Sequence, residues 1–202
     1  MIAGASWDRC GAPLLQLGGG TLVHALPVTV YHIERHVWAG NSAGLDWERV
    51  LPKERLRPPF AAEESPEDLW VRRLTVEQAE EIAHWLGGRL PTRSEWRRAV
   101  QVWDDGRSLA SSLRPCPEGD ERLRGLVSAL ACRHVSQRSV LLPQSFAEFA
   151  AEFRRGSRGT VSIMSMRGPD GVVAQGGHAT FCDDSVGFCC AFDEASGDAI
   201  QP

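Results

Sequence analysis

The chain has 202 residues, 43% of them apolar, with 20 Gly and 12 Pro, enough to bury one sizeable core in a single domain spanning 1–202. Formal charge is −4 and the cations are 21 Arg against the single Lys53, a balance that excludes a broadly basic nucleic-acid binder. No stretch approaches the ~20 apolar residues that cross a bilayer, and residues 1–20 lack the charged start and apolar run of a secretory leader, so the expectation is no membrane insertion and a place in the cytoplasm or a phage particle.

In chain order, residues 22–33 alternate apolar and polar side chains and are rich in Val, Thr and Tyr, which predicts a half-buried strand or hairpin. Residues 52–66, dense in charge and proline, predict a surface loop. Thr75-Val76-Glu77-Gln78 has the form of a capping box, and Ala79, Ile82, Ala83 and Leu86 then recur at helical spacing until Gly87 supplies the stop. A second box, Thr92-Arg93-Ser94-Glu95, opens a helix that places Trp96, Ala99, Val100 and Trp103 on one face. The two short helices meet at a Gly-Gly-Arg-Leu-Pro turn.

Residues 104–139 are polar and rich in Arg and Ser, with one apolar patch at 123–130 able to form a helix; the segment reads as an insertion. Over 145–153 the residues Phe146, Phe149, Ala150 and Phe153 fall at helical intervals, but the same rhythm suits a bent strand, and periodicity leaves both open. Residues 158–186 are small, polar and Gly-rich, with no Leu, Lys, Glu, Trp or Tyr. Six cysteines (Cys10, Cys116, Cys132, Cys182, Cys189 and Cys190) lack the paired spacing of a structural zinc site and read as buried or free thiols. His178 with Cys182 and Cys189 is a weak metal-ligand set, and no metal or cofactor is expected.

The run from Ala83 through Trp85-Leu86-Gly87-Gly88-Arg89-Leu90-Pro91-Thr92 to Glu95-Trp96, followed by Arg155-Gly156-Ser157 and by Val186-Gly187-Phe188, resembles the formylglycine-generating enzyme (sulfatase-modifying factor) family in order and spacing. The resemblance implies an α+β chain with the C-type lectin fold of that family, two short helices packed on small antiparallel sheets with much irregular structure. It is sharp over residues 85–96 and loose elsewhere. Where the family carries G-N-V-W-E-W, this chain has Gln144-Ser145-Phe146-Ala147-Glu148-Phe149, which removes support for the calcium coordination found near that motif in relatives. The family's copper-holding cysteine pair falls near Thr160 and Ser165. Hydroxyls cannot replace thiolates as Cu(I) ligands, so the oxidase chemistry loses its centre. Gly168-Pro169-Asp170 retains only half of the sugar-binding motif of calcium-dependent lectins, which argues against that activity.

A scaffold of this kind without its catalytic pair, carrying a segment of small and mixed residues between R-G-S and G-F, looks like the variable proteins of diversity-generating retroelements. That resemblance implies a non-enzymatic, ligand-binding protein whose partner is an unknown macromolecule, most simply a protein, and not nucleic acid. The alternative is a copper oxidase of the formylglycine-generating type, or a catalytically dead subunit of one. Variable positions in such proteins exclude Lys, Glu, Gln, Trp and Met, so Met164, Met166 and Gln175 would be fixed. The variable surface would then draw on Gly159, Thr160, Val161, Ile163, Asp170, Val172, Gly177, His178, Thr180, Phe181, Asp183 and Asp184. Of these, Phe181 and His178 would be anchors and the two aspartates would favour a basic rim on the partner. Trp85, Trp96, Phe149 and Phe188 would close the framework beneath.

Overall fold

In the computed structural model, the residues described are 6–41, 66–133, 147–151, 160–165, 173–178 and 186–194. Of the loop expected at 52–66, residues 52–65 lie outside them, as do residues 134–139 at the end of the expected insertion.

The chain enters through β1 (Ser6–Trp7) and then runs a hairpin, β2 (Pro13–Gly18) and β3 (Thr21–His24). Gly18, Gly19 and Gly20 all take positive φ at its tip, a backbone that side-chain-bearing residues adopt only under strain. Arg98 reaches this tip and donates to the carbonyls of Leu17 and Gly18. Of the strand or hairpin expected over 22–33, only the part to His24 is strand: Val30, Tyr31 and Ile33 belong instead to helix α1 (Val30–Trp38). Their β-branched and aromatic character suits a strand, but all three are buried, and tertiary packing on one helical face overrides that local preference.

A 3-10 turn (Pro66–Leu69) leads to α2 (Val76–Trp85) and α3 (Arg93–Asp104). Both capping boxes form as the sequence predicts. Thr75 Oγ1 accepts from Gln78 N at 3.2 Å while Gln78 Oε1 accepts from Thr75 N at 2.9 Å, and Thr92 with Glu95 repeats the exchange at 3.2 and 2.7 Å. Two further helices follow, α4 (Gly106–Ser112) and α5 (Glu121–Cys132). The segment expected as an insertion therefore holds two helices joined by residues 113–120, and Leu109, Leu113, Leu123, Leu126, Val127 and Leu130 are all buried in the main core. The two helices expected become five among the described residues.

The remaining strands are β4 (Ala147–Ala151), β5 (Thr160–Ser165), β6 (Val173–His178), β7 (Val186–Gly187) and β8 (Ala191–Asp193). Of the two readings open for residues 145–153, the strand is the one formed. One sheet has the order β1-β2-β3-β8 and is antiparallel; the other has the order β6-β5-β4-β7, with β4 and β7 parallel, so it is mixed rather than purely antiparallel. The class is α+β. A contiguous core joins both sheets and the helices, with Trp96, Trp103, Tyr31, Phe149 and Phe188 its largest fully buried side chains.

Candidate functional site

The motif turn between α2 and α3 locks the two helices onto β8. A Cβ on Gly88 would lie 2.7 Å from the carbonyl oxygen of Ala191 and 2.9 Å from Phe192 Cε1, so only glycine admits this approach. Arg89 and Ala191 exchange backbone hydrogen bonds at 2.9 and 2.8 Å across it. The Arg89 guanidinium is bidentate on Glu95, at 2.7 and 2.8 Å, and reaches Asp193 at 3.1 Å. Glu95 thus serves both as cap partner and as anion, and the Arg89 hydrogen bonds hold its carboxyl down at about 2 against the opposing effect of burial. At the next residue, the Trp96 indole N–H donates to the buried Glu148 at 3.0 Å, joining α3 to β4. Of the four framework aromatics, Trp96, Phe149 and Phe188 are buried, whereas Trp85 is only half-buried.

The residues expected to carry binding meet this frame at β5 and β6. Five consecutive antiparallel pairs hold β5 to β4, from Ala147↔Ser165 to Ala151↔Val161. Met164 is fully buried and Ile163 is half-buried against the core. On its other side β5 pairs with β6 through six positions, bringing Thr160 opposite His178 and Val161 opposite Gly177 at one end of the hairpin. Among the described residues β5 is the only strand that β6 pairs with. Thr160 and Ser165 are the first and last residues of β5. Gly159, Asp170, Val172, Thr180, Phe181, Asp183, Asp184, Met166 and Cys182 lie outside the described residues.

A second polar constellation, not read from the sequence, sits beneath the first sheet. Asp8, His24 and His32 are all fully buried, each with a potential ligand atom within 4.8 Å of the others. Asp8 follows β1, His24 ends β3 and His32 lies in the first turn of α1. Asp8 Oδ1 accepts from the backbone N–H groups of Cys10 and Ala12 at 2.9 and 2.8 Å, and Oδ2 lies 3.0 Å from Nε2 of each histidine. The backbone fixes the tautomers. Cys190 N–H points at His24 Nδ1 at 3.2 Å and Thr29 N–H points at His32 Nδ1 at 3.0 Å, so both Nδ1 atoms are acceptors and both Nε2 atoms carry the proton. The Asp8 carboxylate therefore receives four N–H donors. Burial alone would raise its pKa, but the two imidazoles outweigh burial and hold the carboxyl far below the ordinary carboxylate range.

The same geometry tests these residues as metal ligands. A histidine that coordinates through Nε2 donates its Nδ1–H to a second group. His32 Nδ1 also lies 2.8 Å from Thr29 Oγ1, which can accept, whereas His24 Nδ1 faces the Cys190 N–H, so a metal at Nε2 would set N–H against N–H or require an imidazolate at His24. The donor set fits a proton-filled cluster and not a metal centre. Two neighbouring thiols are held in the protonated direction: burial, followed by the Asp8 charge, pushes Cys10 up, and burial, followed by Cys189, pushes Cys190 well up.

No single sequence motif marks this cluster, since its members come from three elements and gain meaning only when those elements pack. Two local signals were present. Asp8 precedes Cys10-Gly11 in a tight turn in which a Cβ on Gly11 would come within 2.6 Å of Gly119 Cα, and His32 takes the position of Glu or Gln in a capping box opened by Thr29. Compared with known protein families and with curated proteins, the chain matches none.

Proposed function

We propose that the chain is a non-catalytic binding protein with the C-type lectin fold of the formylglycine-generating type, displaying a changeable surface built on the β5–β6 hairpin and the residues around it. One observation carries this reading: β5 is fastened into the core through Met164 and its register with β4, while β6 is attached through β5. A hairpin held from one side tolerates side-chain changes at its outer positions without loss of the fold. The partner meets a pre-organised patch and little ordering entropy is lost on association.

The test randomises Thr160, Val161, Gly177 and His178 together. Folded library members should keep melting temperatures within about 5 °C of the parent, and selection against an arbitrary folded protein should return binders. General unfolding of the library, or failure to recover any binder, would refute the reading. At the level of the gene, the expectation is a near-copy of the segment coding for residues 158–188 beside a reverse transcriptase, differing only at adenines.

A further inference from the structure

On the far end of α1 from its N-cap, a cleft of about 380 Å³ is lined by Arg9, Cys10, Arg35, Trp38, Ala39 and Trp85. Trp38 is 59% exposed and is the one large hydrophobic residue left open to solvent among the described residues. Such exposure at a concave surface marks a contact site more often than an isolated apolar residue on a convex one. Trp85 also lines the cleft. The Arg9 guanidinium lies 5.1 Å from its ring centroid and donates to the Trp85 carbonyl.

The cations around this cleft are not fully matched. Glu34 is taken by Arg122. Asp120 gives Oδ1 to Arg122 at 3.3 Å and to the first N–H groups of α5, and its Oδ2 lies 3.7 Å from Arg35 Nε. Arg35 is half-exposed, and among the described residues no carboxylate lies within hydrogen-bonding distance of Arg35 or Arg9. Both guanidiniums carry a fork that matches a carboxylate.

We propose that this cleft binds a small planar aromatic carboxylate, its ring against Trp38 and Trp85 and its anion between Arg9 and Arg35. The volume lies at the low end for ligand sites, which suits one or two fused rings, and two guanidiniums without a hydrogen-bonded carboxylate among the described residues suit a carboxylate. The site shares no residue with the β5–β6 hairpin and stands independently of the role given to that hairpin.

Isothermal titration of the full chain with 2-naphthoate tests the proposal, with 2-naphthylmethanol as the neutral isostere and cyclohexanecarboxylate as the non-aromatic anion. The expected result is saturable one-site binding of 2-naphthoate, with each control about tenfold weaker or worse. Trp38→Ala and Arg35→Gln should each weaken 2-naphthoate by about tenfold with the melting temperature unchanged. Should Trp38→Ala fail to fold, Arg35→Gln, at a half-exposed helix position, decides alone. Equal affinity for naphthoate and its neutral isostere, absence of saturation at millimolar naphthoate, or undiminished affinity in a folded Arg35→Gln protein would overturn it.

Discussion

At Asp8, two imidazoles and two backbone amides converge on one carboxylate in a space from which water is excluded. Removing the negative charge leaves those donors facing a neutral amide, part of which is itself a donor. Asp8→Asn is expected to cost about 2–4 kcal/mol at neutral pH, read by urea unfolding. The pH dependence follows from the direction of the shift. The folded carboxyl titrates below the unfolded one, so its contribution is fully present above the unfolded value near 4 and is lost as pH falls from there towards the folded value. The gap in stability between wild type and Asp8→Asn should therefore narrow below about pH 4; a constant gap down to pH 2 would show that the charge is not the cause. Because the imidazole protons point at Asp8, a chelator should leave the wild-type melting temperature unchanged, and a fall on adding EDTA would reverse the tautomer assignment.

Between elements, the α2–α3 turn shows what was legible in the sequence and what was not. Thr75/Gln78 and Thr92/Glu95 were readable because a capping box lies within four consecutive residues and its donors and acceptors are local. The Gly-Gly-Arg run was readable as a turn, but its second purpose, admitting the Ala191 carbonyl and aiming Arg89 at Glu95 and Asp193, depends on β8 a hundred residues away. The His32 box was missed because its acceptor is an imidazole nitrogen, and residues 30–33 read as strand because side-chain branching outweighed the cap at Thr29. Gly88→Ala should destabilise by about 1–3 kcal/mol, since the neighbour it meets is backbone and cannot swing aside. Arg89→Lys keeps the charge but loses the bidentate fork; at a partly exposed site the expected cost is about 1 kcal/mol. The lowered Glu95 carboxyl makes that interaction present above the unfolded value near 4.3 and lost as pH falls towards 2, so the Arg89→Lys difference should shrink over that interval in thermal melts.

For the molecule as a whole, the core runs from the β2–β3 hairpin through α3 to α5 and out to β5, and its continuity decides which segments can be changed. Residues 104–139 read as an insertion because they are polar and rich in Arg and Ser, while the buried leucines of the described part are spaced for helices that pack on distant elements. Leu126, fully buried on α5, and Met164, fully buried on β5, report on the two ends of this core. Leu126→Ala and Met164→Ala should each cost about 2–5 kcal/mol, the range for removing buried aliphatic volume. If the hairpin is a display surface fixed from beneath, Met164→Ala should also loosen it locally, with faster amide exchange in β5 and β6 than in α2 or α3. Leu126→Ala should lower global stability without that selective effect. Equal acceleration of exchange across all elements in both variants would mean that the hairpin has no stability of its own to lose, and that the binding face and the core unfold as one unit.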